Sequence, residues 1–281
     1  MKYVLCSGGL GNQMFQYSFY KALQDKYNDV IFDISYFDSI KCHSGYRLEE
    51  AFLIKDGENY INHFSFVYRM IYKLSRQFPR LGKKLKVYYE TPNTPILLNQ
   101  KLNTDAILFG YWQGENACKI TIQKAKELFQ FKNISTDVRK IANKMSEEVS
   151  VIIHIRRGDY LNHSEYVNLG ETKYYENAIS YVTSKYKEIK FYVISDDIQW
   201  CKTSRLFNEK TEFVENKKDY EDLYLLSSAK ICILANSTFS WWGGYLGNHD
   251  MVIRPSKYFK EWSRKEDELM FPNYWKKIEV L

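Results

Sequence analysis

Short apolar runs alternate with stretches of helical spacing along almost the whole chain. The segment KYVLCS, 2–7, reads as a buried strand that stops at Gly8-Gly9. NQMFQYSFYKALQDKY, 12–27, then places Met14, Phe15, Tyr17, Phe19 and Leu23 with the period of a helix, and DVIFDI, 29–34, is a second strand. Strand, glycine turn, helix and strand open an α/β unit. From 40 to 100 the pattern is harder to read, with a helical middle and the breaker TPNTP at 91–95. AILFGYWQG, 106–114, reads as another strand, and TDVRKIANKMSEE, 136–148, as a helix begun by a capping Thr136 or Asp137.

The second half repeats more cleanly. VSVIIHI, KFYVISD, ICILAN and MVIRPS are strands; TKYYENAISYVTSKY, KDYEDLYLLSSAK and STFSWWGGYLG are the helices between them. Near-continuous apolar strands separated by helices predict a mostly parallel sheet covered on both faces. The expectation is α/β, two Rossmann-like domains in tandem, 1–148 and 149–281.

In such sheets ligands bind beyond the carboxyl ends of strands, so the residues at those ends carry the chemical information. VIIHIRRGDY, 151–160, runs a buried strand into Arg156-Arg157-Gly158-Asp159. Guanidinium forks bind phosphate oxygens bidentately and keep their charge; a glycine lets the backbone turn sharply or approach a ligand. The alternative is an Arg–Asp pair that only pins the loop. His154 lies two residues before Arg156 and shares its face by alternation, which draws a residue type usually buried as a satisfied core histidine toward the site. SGGLGNQ, 7–13, resembles a dinucleotide fingerprint with Asp33 as the ribose acid, but Met14 stands at the third glycine position. Asn12 and Gln13 offer amides at a helix start. SDD, 195–197, offers Asp196 and Asp197 as metal ligands, but no D-x-D or histidine cluster joins them, and hydrogen bonding of Ser195 and Asp196 with a ribose or base is the preferred reading. Ser237, Thr238 and Ser240 at the start of the last long helix suit an anion, or serve as an ordinary N-cap.

Composition narrows the class. The five cysteines are scattered, with no C-x-x-C pair, which points away from a disulfide framework and from a zinc site. The start MKYVLCSGGLGNQ has one lysine and a short apolar run, and nowhere do about 18 apolar residues run together. A cytoplasmic protein is the expectation. The net charge of +6 is accounted for by 69–86, seven basic residues without an acid. A solvated helix face explains that run; contact with an anionic inner-membrane surface or a phosphorylated lipid-linked substrate is its alternative. No nucleic-acid motif accompanies it.

Taken together, GGLGNQMFQY at 8–17, HIRRGDY at 154–160 and NSTFSWWGGYL at 236–246 resemble the α-1,2-fucosyltransferases of glycosyltransferase family 11, with GYWQG and SDDIQWC as weaker support. The resemblance implies the two-domain GT-B architecture and an inverting, metal-independent enzyme. Such an enzyme moves L-fucose from GDP-β-L-fucose to O2 of a terminal β-galactoside of a surface glycan, lipid-linked or soluble. No cofactor is implied. By the same resemblance Arg156 holds the donor pyrophosphate, His154 and Asp222 contact guanine, and Ser237, Thr238 and Phe239 line the phosphate end. The glycine loop with Gly9, Gly11, Asn12 and Gln13 faces the donor–acceptor junction, with Trp112 and Gln113 on the acceptor side.

As the C1–O bond breaks, charge grows on the departing GDP, and a fixed cation with a helix dipole stabilises it without a divalent ion. Asp159 is the first candidate for general base, although pairing with Arg157 would lower its basicity; Glu165 is the second. Three rivals stand beside this reading: another linkage such as α-1,6, a dinucleotide-dependent oxidoreductase using Gly9, Gly11 and Asp33, and a non-catalytic nucleotide-binding regulator.

Overall fold

The computed structural model describes residues 1–39, 45–54, 60–61, 70, 74, 77–78, 84, 86–90, 102, 105–118, 120–215 and 218–280. Most of the basic run 69–86, the helical middle of 40–100, the breaker at 91–95 and Cys42 lie outside the described residues. Two compact units divide between Gln130 and Phe131.

Unit 1 is built on β1 (Lys2–Leu5), β2 (Val30–Asp33), β3 (Tyr60–Ile61), β4 (Val87–Tyr89) and β5 (Ala106–Phe109), in the order β3-β2-β1-β5-β4, with every pairing parallel. Helix α1 (Leu10–Gln24) packs here and α2 (Ile122–Leu128) follows β5. Helix α1 buries more than one stripe: Gln13, Gln16 and Ser18 are inside together with Met14, Phe15, Tyr17 and Phe19. A helix buried nearly all round is a core helix, and its buried amides need partners within the fold.

Unit 2 contains α3 (Thr136–Glu147), β6 (Val149–Ile155), α4 (Tyr174–Thr183), β7 (Ile189–Ser195), α5 (Ile198–Thr203), β8 (Glu212–Phe213), α6 (Asp219–Leu226), β9 (Ile231–Ile233), α7 (Thr238–Leu246), β10 (Met251–Pro255), α8 (Arg264–Met270) and β11 (Lys276–Ile278). The strand order is β11-β10-β9-β6-β7-β8, again parallel throughout. The expectation of an α/β fold built on parallel sheets holds in both units. Among the described residues no helix is long and apolar enough to cross a membrane.

The expected division after residue 148 moves upstream, because α3 belongs to unit 2. Ser135 N–H donates to the Glu221 carboxylate on α6 at 2.9 Å, and Ser150 Oγ donates to the Met145 carbonyl at 2.8 Å. Val138, Ala142 and Met145 form the buried face. The helix also starts one residue earlier than expected: Ser135, not Thr136 or Asp137, is the N-cap, and its side chain makes no capping bond.

The paired tryptophans and glycines of α7 are a packing device. Trp241 and Trp242 are fully buried. A Cβ on Gly243 would lie 2.6 Å from the Leu226 Cβ of α6, and one on Gly244 would lie 3.0–3.1 Å from Val252 and Leu234. The glycines therefore let α7 press against α6 and the sheet. Gly243→Ala is expected to lower stability by about 1–3 kcal/mol, the usual cost of overpacking, because a Cβ–Cβ clash has no rotamer to escape into. Chemical denaturation checks this; a wild-type midpoint would show that α7 can shift at no cost.

Candidate active site

In unit 2 the chain runs from β6 outward to β7 and β8, then returns to the other side of β6 for β9, β10 and β11. The loops after β6 and β9 therefore leave in opposite directions, and a crevice opens between them. The register sets Ile153 opposite Ile233 and Ile155 opposite Ser195. Arg156–Asp159, Asp196–Asp197 and Asn236–Ser237 thus leave one edge of the sheet from three adjacent strands. Tyr160 Oη donates to the Asn236 carbonyl at 3.0 Å and ties the first loop to the third.

The doubled positive charge is met by three carboxylates. Arg156 Nη2 lies 2.7 Å from Asp159 Oδ2, and its Nε lies 3.2 Å from Asp196 Oδ2. Burial opposes the Arg156 charge, but Asp159 and Asp196 outweigh it and raise its pKa above the ordinary value. Arg157 Nη1 bonds Asp197 Oδ2 at 2.7 Å, and its guanidinium lies 5.2 Å from the Trp200 ring centre. The expected pairing of Arg157 with Asp159 is therefore corrected: Arg157 holds Asp197, and Asp159 holds Arg156.

Ser195 and Asp196 also take different parts from those expected. Asp196 accepts the N–H groups of Arg157 at 2.8 Å and Gly158 at 3.1 Å, besides the Arg156 contact. Ser195 Oγ accepts the Asp197 N–H at 2.9 Å, and Asp197 accepts the Trp200 N–H at 3.2 Å as the N-cap of α5. The SDD segment faces the arginine loop. Gly158 is tight for the same reason: a Cβ there would meet Asp196 Oδ2 at 3.0 Å.

His154 is buried, and burial, then the Arg156 charge, lowers its pKa to about 3. The ring is neutral at physiological pH, its Nδ1 has no partner, and it packs against Phe239 with centroids 5.5 Å apart. Ser237 occupies the N-cap position of α7 without making a capping bond, while Ser240 Oγ accepts the Ala235 N–H at 2.9 Å and shapes the turn. Thr238 opens the helix, so its N-terminal N–H groups and dipole are directed at this edge. Asp222 lies in the first turn of α6 beside buried Glu221; none of the bonds above reaches it. Asp159 Oδ1 is buried without a partner. Glu165 is exposed and lies 3.3 Å from His163.

Unit 1 has a switch point of its own, between β1 and β5. The left-handed residue in the turn after β1 is Gly8, φ 78°. Gly9 is the extended N-cap of α1, and Gly11 lies in the first helical turn. The glycines expected to shape the loop are thus displaced by one position. Gln13 is fully buried: its Nε2 donates to the Gly8 and Gly45 carbonyls, both at 2.9 Å, and its Oε1 accepts the Arg47 N–H at 2.9 Å. Trp112 is also fully buried, stacked on Phe19 at 4.0 Å. Neither can face a sugar; both hold the fold. Asn12 and Gln113 remain, joined by Gln113 Nε2 donating to Asn12 Oδ1 at 3.0 Å. Asp33 is buried and accepts the Ser35 N–H at 2.9 Å, so its carboxylate turns into the turn rather than toward a ribose.

Sequence reasoning passed over Gln16 and Glu90. Gln16 accepts the Ser7 N–H at 2.9 Å and donates to the Gly110 carbonyl at 3.0 Å, bridging the two loops of the switch point. A second glutamine on the same helix, three residues after Gln13, was its only signal. Glu90 had none.

Among the described residues no group of three or more His, Cys, Asp or Glu side chains could hold a metal ion. The model of "Glycosyl transferase family 11" matches residues 98–279. An Escherichia coli alpha-1,2-colitosyltransferase is 32% identical, covering 97% of both chains. The Escherichia coli O-antigen biosynthesis glycosyltransferase WbnK is 31% identical over 92% of this chain and 94% of its own. A Caenorhabditis elegans galactoside 2-alpha-L-fucosyltransferase is 29% identical over 45% of this chain and 39% of its own. Among solved structures, Bradyrhizobium fucosyltransferase NodZ superposes with a TM-score of 0.55 at 14% identity, covering 88% of this chain and 92% of that one. That likeness gives the GT-B type of fold. With the family model spanning most of the chain and a relative matched end to end, the protein belongs to glycosyltransferase family 11 and is a nucleotide-sugar-dependent glycosyltransferase.

Proposed function

We propose that the enzyme transfers L-fucose from GDP-β-L-fucose to O2 of a terminal β-galactoside, inverting the anomeric centre and needing no metal ion, in the cytoplasmic synthesis of a bacterial surface glycan. The observation that carries this reading is Arg156 at the unit 2 switch point, on the sheet edge where α7 begins. There a permanent cation and a helix N-terminus converge on the place where a departing diphosphate gathers charge. A NodZ crystal soaked with GDP-fucose and the relatives named as galactoside 2-alpha-L-fucosyltransferases support the donor and the linkage.

In this reading Arg156, Ser237 and Thr238 take the diphosphate, while neutral His154, Phe239 and Asp222 take the base. Asn12 and Gln113 hold the acceptor, a galactose-terminated oligosaccharide free or lipid-linked. The acceptor hydroxyl attacks C1 opposite the diphosphate, the C1–O bond breaks, and the hydroxyl proton passes to a carboxylate. Asp159, with one oxygen on Arg156 and the other unpartnered, is the first candidate for that role, and exposed Glu165 is the second. A second reading has one observation in its favour: the relative matched over 97% of both chains is named for colitose, so GDP-linked colitose is the alternative donor.

Incubation with each GDP-sugar and a panel of β-galactosides in excess EDTA tests both. Fucose at galactose O2, at a rate EDTA does not change, is expected. Transfer only from the colitose donor would replace the first reading with the second, and transfer to no galactoside would remove both.

A further inference from the structure

Glu90 directly follows β4 and lies beside the loop that leaves β5 at the unit 1 switch point. Its Oε2 accepts the Tyr111 N–H at 2.7 Å and its Oε1 the Gln113 N–H at 3.2 Å, and the intervening Trp112 N–H is turned toward the same carboxylate. Successive N–H groups turned on one anion form a nest. Trp112 makes that curvature by adopting a left-handed φ of 54°, a conformation bulky residues avoid unless the surroundings hold it. Gly110 permits the close approach, since a Cβ there would sit 2.5 Å from the Glu90 Cβ. Burial raises the Glu90 pKa, and the three backbone groups pull it back only in part. From its other side the loop is held by Gln16, and Gln113 reaches across to Asn12.

We propose that Glu90 is a positioning residue for the acceptor, its carboxylate fixing the 110–113 loop so that Gln113 and Asn12 present one hydrogen-bonding edge to the sugar hydroxyls. A fold-stabilising carboxylate would need neither the strained tryptophan nor a partner whose side chain ends on Asn12. The inference rests on the acceptor-side reading of Asn12 and Gln113.

Glu90→Gln replaces one accepting oxygen by an N–H that opposes a backbone donor. It is expected to raise the acceptor KM about tenfold or more, leaving kcat and the affinity for GDP within about twofold. Gln113→Ala raises the same KM, and the double variant is no worse than the more impaired single one, because both act through one edge. Where Glu90→Gln does not fold, Glu90→Asp keeps the charge but cannot reach both N–H groups, and the same KM rise is expected. A wild-type acceptor KM in the folded variant, or a fall in kcat and GDP affinity that follows the melting temperature, overturns the proposal. If Asn12→Ala and Gln113→Ala leave the acceptor KM unchanged, the acceptor-side reading fails and takes this inference with it. If they raise it and the Glu90 variants do not, this inference alone fails.

Discussion

Arg156→Ala is expected to lower kcat/KM about a thousandfold and to abolish protection of the protein by GDP against thermal unfolding. The side chain is 28% exposed at the end of a buried strand, oriented by Asp196 at its Nε and by Asp159 at its Nη2. A group preorganised in this way loses little when the leaving group's charge develops, and removal of one such donor typically costs about a hundred- to a thousandfold. Full loss of the charge falls at the upper end. Arg156→Lys separates charge from geometry: an ammonium cannot bond Asp196 and reach a phosphate together, so about ten- to a hundredfold of the defect should persist. Steady-state rates and GDP-dependent melting temperatures check both variants. An unchanged turnover in Arg156→Ala would remove this residue from the site, and with it the reading of the β6–β9 crevice as the donor site.

How far the sequence could be read depended on whether a signal was periodic or conformational. Strands β6, β7, β9 and β10 announce themselves because parallel strands covered on both faces must be apolar throughout. The division of the chain was misplaced because α3 has an ordinary amphipathic pattern, and only its bonds to Glu221 and Ser150 reveal which unit it serves. The motif residues lie in loops at strand ends, where binding and catalytic chemistry collects. Their roles were less legible. Gln13, Trp112, Ser195 and Asp196 are polar or aromatic residues at the expected ends, yet each is engaged inside its own unit. A buried amide saturated by backbone groups and a ligand-facing amide are the same letter in a sequence. Glu90 illustrates the opposite failure: its role comes from a left-handed turn at Trp112, which no hydrophobic period encodes.

Asp196→Asn separates these two kinds of role within the proposed donor site. The carboxylate receives three donors from one loop, the N–H groups of Arg157 and Gly158 and the Arg156 Nε, so both oxygens are engaged and the negative charge sits against the guanidinium. An amide offers one oxygen. Its NH2 must oppose one of those donors, so the loop loosens and Arg156 loses its orientation. Affinity for GDP is expected to fall about tenfold or more and kcat/KM about a hundredfold, with a smaller change in stability, because the groups involved are partly exposed. Inorganic pyrophosphate distinguishes this clamp from the ribose contact suggested by the SDD segment. It carries no ribose, so a clamp predicts that its inhibition constant rises by the same factor as that of GDP. A contact to ribose predicts weakened GDP with unaltered pyrophosphate, and that result would return Asp196 to the nucleoside. Equal losses would instead mean that the second arginine-facing carboxylate acts on the diphosphate only through Arg156, which makes the orientation of one guanidinium the quantity that the loops of β6 and β7 are built to fix.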